Sequence, residues 1–159
     1  MPDHDHHSPD GLTGSELTRS AVSATLHCLT GCAIGEVLGL ILATWWGWTN
    51  GPSIALAIVL AFAFGYSLTI TPVLRSGLSL RQAVGVALAA DTVSILTMEI
   101  MDNAFVLAVP GAMSAGLTDL LFWASLAGSL VVAFFVTVPV NRALIARGKG
   151  HAVVHQYHH

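Results

Sequence analysis

Four long apolar stretches dominate this chain and limit the folds that are open to it. They cover residues 20–46, 54–71, 83–109 and 117–140, and each is long enough for a helix that crosses a bilayer. Of the 159 residues, 54% are hydrophobic and only 9% are charged, whereas about a quarter are charged in soluble domains. The sequence therefore predicts an all-α integral membrane protein, a four-transmembrane-helix bundle within a domain at 20–141.

Polar segments flank this domain at both ends. Residues 1–19 carry three histidines among acidic residues, and residues 142–159 combine basic residues with four histidines. We predict that both segments are solvated tails. The first lacks the apolar core and cleavage site of a secretory signal, so we expect the N-terminus to be retained.

The basic residues are unevenly distributed among the loops. Arg19 precedes the first stretch, Arg75 and Arg81 lie between the second and third, and the other three follow the fourth. Lys and Arg are enriched in cytoplasmic loops. We therefore expect both termini to be cytoplasmic, and the loops after the first and third stretches to lie outside.

Two classes of function fit this sequence poorly. The net charge is −3 and there is no basic patch to neutralise phosphates, so we expect no nucleic acid partner. There is also no nucleotide-binding loop and no soluble catalytic domain, which argues against direct ATP hydrolysis.

The first stretch places two thiols and a carboxyl group in an apolar segment, HCLTGCAIGE at residues 27–36. On a helix, the four-residue spacing puts Cys28, Cys32 and Glu36 on successive turns of one face. The adjacent face carries three glycines at the same spacing: Gly31, Gly35 and Gly39. Small residues let helices approach closely, so we predict a homo-oligomer that packs partly through these glycines.

The third stretch is the second unusual one, because it also carries ionisable groups. In the predicted topology it runs in the same direction as the first. Cys28 and Glu36 are eight residues apart, as are Asp91 and Glu99. We therefore expect Cys28 to lie level with Asp91 and Glu36 with Glu99, along a seam that both helices share.

The predicted spans contain no Lys or Arg to neutralise their carboxyl groups. A carboxylate at the bilayer centre costs about 2.5 to 3.5 kcal/mol, even on a lenient insertion scale. Thiolate and thioether select copper(I), whereas thiolate with carboxylate and imidazole also suits zinc or iron. We therefore predict an intramembrane transition-metal site, with copper favoured, formed from these residues: His27, Cys28, Cys32, Glu36, Asp91, Met98, Glu99 and Asp102.

His27 differs from the rest of this set in its direction. A residue next to Cys28 points about 100° away from it on a helix. His27 therefore binds a metal only if it turns toward a neighbouring helix. The alternative is a hydrogen bond between helices.

The HCLTGCAIGE segment and the later segment DTVSILTMEIMDN, residues 91–103, together resemble a family of small four-span bacterial membrane proteins. That family is catalogued as a domain of unknown function, and some members are labelled permeases or copper-related proteins. The similarity covers residues 20–140. The resemblance implies the four-span fold, a bacterial cytoplasmic membrane and an association with copper.

Three functions from different classes stay open. The first is transport or delivery of a transition metal, with the His-bearing tails collecting or releasing it. The second is a thiol oxidoreductase that exchanges electrons with a quinone through Cys28 and Cys32, although no further cysteine is present to relay electrons. The third is a proton-coupled carrier of a small solute, with Glu36 and Glu99 as protonation sites. A purely structural subunit is the remaining alternative.

Overall fold

The computed structural model describes residues 13–147, which form four long α-helices and one short 3-10 helix and contain no β-strand. All four α-helices are long and apolar enough to cross a membrane. The predicted all-α fold with four such helices is therefore confirmed. The histidines of both tails lie outside the described residues. The elements are α1 Gly14–Trp46, α2 Asn50–Arg75, α3 Leu80–Ala108, the 3-10 helix Ala112–Ser114 and α4 Leu120–Ala146.

Polar caps start two of the helices before their apolar stretches begin. At α1, the hydroxyl of Thr13 accepts a hydrogen bond from the Glu16 amide, and the Glu16 carboxylate accepts one from the Thr13 amide. Ser79 and Gln82 form the same capping box at α3. Such reciprocal bonds satisfy amides that have no partner within the helix. The helix α1 therefore begins at Gly14, well before the predicted start at residue 20.

The second helix continues past the point at which its apolar stretch ends. The predicted span stops at residue 71, before Pro72, but α2 runs to Arg75. Proline removes one amide donor, yet its carbonyl still accepts a bond from the Ser76 amide at 3.1 Å. The chain then turns at Gly77, whose φ of 94° suits glycine.

The helices form an up-and-down bundle in which α1 and α3 are diagonal partners. Each of them packs more extensively against α2 and α4 than against the other. The connections between helices are short, as is typical of antiparallel neighbours. The two helices that carry the ionisable side chains also meet across the centre, so those side chains lie near the bundle axis.

The outer surface of the bundle is apolar. Large side chains on several helices are exposed, including Leu107, Leu120 and Phe135. An apolar surface of this kind marks contact with a membrane or a partner. Trp45 and Trp48 are exposed at the end of α1, where tryptophans are enriched at a membrane interface. These features support a multi-pass membrane protein.

The glycine stripe of α1 packs against α2 of the same chain. A Cβ atom at Gly35 would clash with the backbone nitrogen of Ala61, and one at Gly31 would lie 2.8 Å from the Cα of Gly65. Gly39 meets the same helix. The prediction that these glycines join copies of the chain is therefore wrong, because α2 already covers them. A homo-oligomer through another surface stays a prediction.

Candidate functional site

Two sulfur-bearing contacts connect α1 and α3 inside the bundle. Cys28 Sγ lies 3.7 Å from Asp91 Oδ1, and Cys32 Sγ lies 4.0 Å from Met98 Sδ. All four side chains are buried, and both cysteines are free thiols. Because the contacts follow the same order along both helices, α1 and α3 run in the same direction. Cys28 therefore lies level with Asp91.

Three carboxyl groups extend from the sulfur contacts toward the loops after α1 and α3, with Glu99 beside Cys32. Glu36 lies beside Asp102 and near Glu99, and the side chains of Glu99 and Asp102 are only 4% and 8% exposed. One buried oxygen in each group has no hydrogen-bond partner among the described residues. An unsatisfied buried polar group costs about 1 to 3 kcal/mol. Hydrogen bonds within the described chain therefore leave these three carboxyl groups only partly satisfied.

A cavity of about 290 Å³ extends from these carboxyl groups to the loops. The ends of all four helices line it, together with the 3-10 helix. Glu36, Glu99 and Asp102 contribute to its wall, whereas Cys32 and Met98 do not. The carboxyl groups are therefore reached from the loop end of the bundle, and the sulfurs lie deeper.

A cluster of hydrogen-bonded side chains occupies the opposite half of the axis. The Asn141 amide donates to the Thr25 hydroxyl at 2.9 Å and to the Ser94 hydroxyl at 3.0 Å. All three side chains are buried. Ser94 in turn lies beside Cys28. This cluster joins α4 to α1 and α3, and it continues to the sulfur contacts.

Sequence reasoning missed the polar face of α4. The buried polar residues of this helix repeat at multiples of four positions: Ser125, Ser129, Thr137 and Asn141. Such spacing places them on one face of a helix. The signal was present in the sequence, but these small side chains carry no charge and stand out little in an apolar stretch.

His27 makes a contact between helices. Its Nε2 lies 3.1 Å from the hydroxyl of Thr69 on α2, and its side chain is half-buried. This geometry agrees with the hydrogen-bond alternative. Thr69 also lies beside Asp91, so His27 is connected to the axis through Thr69.

The eight predicted site residues are spread along the axis. Within residues 13–147, no three His, Cys, Asp or Glu side chains lie close enough to hold one ion. The stretch from Asp91 to Asp102 spans about 16 Å at 1.5 Å per residue. The structure therefore arranges these side chains as successive levels: Asp91 with Cys28, Met98 with Cys32, and the carboxyl groups that begin at Glu99 beside Cys32 and continue to Glu36 and Asp102.

The arginines in the described part of the chain are all exposed. They lie near the start of α1, the end of α2, the start of α3 and the end of α4. These four helix ends meet at the end of the bundle opposite the cavity. They are Arg19, Arg75, Arg81, Arg142 and Arg147.

These features define a class of protein: a small four-helix protein whose helices are long and apolar enough to span a membrane and whose axis carries ionisable groups. The chain matches a family model described as a domain of unknown function (DUF4396) over residues 18–150, and it therefore belongs to that family. The match includes nearly all of the four helices and confirms the resemblance seen in the sequence. No curated protein and no solved structure matches the chain.

Proposed function

We propose that this protein lies in the bacterial cytoplasmic membrane and binds a transition-metal ion in its core. It then moves the ion across the bilayer or delivers the ion to a site within the membrane. Copper is the favoured ion, and zinc and iron are the alternatives. The supporting observation is the stack of sulfur and carboxyl side chains along the axis between α1 and α3, with every described arginine exposed. A cation there would offset the cost of burying carboxylates.

The contact between Cys32 and Met98 favours a soft metal. Metal–sulfur bonds are about 2.3 Å long, so two sulfurs of a trigonal site lie about 4.0 Å apart. The observed distance between Sγ and Sδ is 4.0 Å. Glu99 lies beside Cys32 and could be the third ligand. Thiolate and thioether ligands select copper(I).

The succession of levels suits movement of the ion. Conduction requires binding that is strong enough for a cation to enter and weak enough for it to leave. Each level offers only a few ligands, because no three of the His, Cys, Asp or Glu side chains between residues 13 and 147 converge. An ion would pass between the carboxyl level, Cys32 with Met98, and Cys28 with Asp91.

The charge distribution supports one orientation. The described arginines lie at the end that holds both chain termini of residues 13–147, whereas the loops 47–49 and 109–119 contain no Lys or Arg. The positive-inside rule assigns the arginine end to the cytoplasm. The cavity then faces the outside, and both His-bearing tails begin on the cytoplasmic side.

Metal analysis of the purified protein tests this proposal. After anaerobic loading with copper(I) and removal of unbound metal, we expect the wild type to retain copper. The Cys28→Ser/Cys32→Ser variant should retain at least tenfold less copper than the wild type. Met98→Leu should also lose copper, because leucine has a similar volume but no sulfur. Met101→Leu is the matched control, since Met101 packs at the edge of the same core. Equal copper in the wild type and the double variant would contradict the proposal.

A proton-coupled carrier is the second candidate, and the contact between Glu36 and Asp102 supports it. A pair of adjacent carboxyl groups would bind and release the coupling proton. Under this alternative, Cys28→Ala/Cys32→Ala should still move solute in vesicles, whereas Glu36→Gln should not. Under the metal proposal, the cysteine variant should instead lose its transport activity.

A further inference from the structure

We propose that the cavity at the carboxyl level is a second cation site, separate from the sulfurs, which binds a divalent cation together with its hydration water. The first observation is that residues in its wall carry unsatisfied carboxyl oxygens. Glu99 Oε1 and Asp102 Oδ1 are buried without a hydrogen-bond partner among the described residues, and both side chains line the cavity. Glu36 Oε1 has the same property.

Ser125 supplies an observation that does not depend on the acidic residues. Its hydroxyl is buried and has no hydrogen-bond partner in the described chain, its side chain is only 5% exposed, and it lines the same cavity from α4. A serine hydroxyl in a helix usually bonds to a backbone carbonyl four residues earlier, as Thr97 does here. The Ser125 hydroxyl therefore lacks the bond that a helical serine usually makes, and a water held at the cavity wall would supply that bond.

The charge and the size of the cavity define its ligand. Three carboxyl groups line it, and its described wall contains no Lys, Arg or His. Oxygen ligands suit hard and borderline divalent ions, which often keep several waters. A shell of six waters occupies about 180 Å³ at about 30 Å³ each, which fits within the observed volume of about 290 Å³.

The spacing of the carboxyl groups explains why the ion would stay hydrated. Within residues 13–147, no three acidic, His or Cys side chains are placed to hold one bare ion. Water between the ion and the wall would bridge this spacing, and the unsatisfied oxygens would accept the hydrogen bonds of those waters. This site deepens the proposed function and rests on it for its place in the pathway, since the same three carboxyl groups form the carboxyl level, but it requires neither the sulfurs nor copper.

Titration of the purified full-length protein in lipid nanodiscs with Mn²⁺ tests this site. The measurement is the water-proton relaxation rate, which rises when Mn²⁺ binds to a large particle and keeps exchangeable waters. We expect saturable enhancement in the wild type, at least tenfold weaker binding in Glu99→Gln and in Asp102→Asn, and about threefold weaker binding in Ser125→Ala. Glu16→Gln is the control, because Glu16 is a carboxyl at the start of α1 that does not line the cavity, and glutamine can keep its bond to the Thr13 amide.

Each alternative result is decisive. Absence of saturable enhancement in the wild type overturns the proposal, whether or not any variant folds. Binding that is weakened as much by Glu16→Gln as by Glu99→Gln overturns the location. The Cys28→Ser/Cys32→Ser variant should bind Mn²⁺ as the wild type does. If Mn²⁺ binds as expected but the cysteine variant retains as much copper as the wild type, the proposed function is rejected and this cation site is not.

Discussion

Asn141 connects three helices through a single side chain. Its amide nitrogen donates to Thr25 on α1 and to Ser94 on α3, and all three residues are buried. In a bilayer core there is little water to replace such bonds. At the scale of single residues, this amide is therefore a specific determinant of how α4 packs.

Replacing Asn141 with alanine should lower the free energy of unfolding by about 1 to 3 kcal/mol. Hydrogen bonds between membrane helices contribute about 0.6 kcal/mol each on average, and the cavity left by the side chain adds to the loss. Thermal or steric-trap unfolding in detergent would measure the change.

Thr30→Ala is the control for this measurement, because the Thr30 hydroxyl bonds only to the carbonyl of Leu26 in its own helix and is exposed. We expect its effect to be within about 0.5 kcal/mol. Equal losses for Asn141→Ala and Thr30→Ala would show that the contacts between helices add nothing measurable.

The contact between α1 and α2 illustrates how an element depends on its smallest residues. Gly31, Gly35 and Gly39 allow the two backbones to approach closely, with α2 presenting Ala61 and Gly65 opposite them. This packing uses the glycine face of α1 and leaves the cysteine face directed at the bundle axis. The close contact thus holds Cys28 and Cys32 toward α3.

Gly35→Ala should therefore destabilise the bundle by about 3 kcal/mol, because the new methyl group meets the rigid backbone of α2. Gly85→Ala is the matched control, since a Cβ there meets nothing within 4 Å and alanine favours the helix by up to about 1 kcal/mol. Unfolding in detergent measures both. Comparable stability of the two variants would contradict the packing described for α1 and α2.

At the scale of the whole molecule, the two ends of the bundle differ in charge and in shape. One end carries the described arginines, and the other carries the cavity and the loops without Lys or Arg. The side-chain cluster around Asn141 lies between the sulfurs and the arginine end. The proposed pathway is therefore open toward one side of the membrane in this structure.

The orientation predicts which positions a membrane-impermeant maleimide reaches in intact cells. We expect Gly51→Cys, at the cavity end, to be labelled and Ser76→Cys, at the arginine end, to be labelled only after the membrane is permeabilised. Both positions are exposed, and the native thiols are buried, so the parent protein serves as the control. Labelling of Ser76→Cys alone in intact cells would reverse the proposed orientation.

Much of the architecture could be predicted from the sequence by itself. Apolar stretches of sufficient length predicted four helices, and helical spacing placed the thiols of α1 on one face. The prediction that Cys28 and Asp91 lie at the same depth required only that α1 and α3 start at similar depths and run in the same direction. These are local properties, because the period of a helix and its length follow from neighbouring residues.

Only the tertiary structure decided which surfaces meet. The glycines of α1 predict a close contact but do not identify the partner, and α2 of the same chain covers them. Likewise, the carboxyl groups and Ser125 surround one cavity only because four helix ends converge there. The direction in which a side chain points is set within its own helix, whereas its neighbours depend on how all four helices pack together.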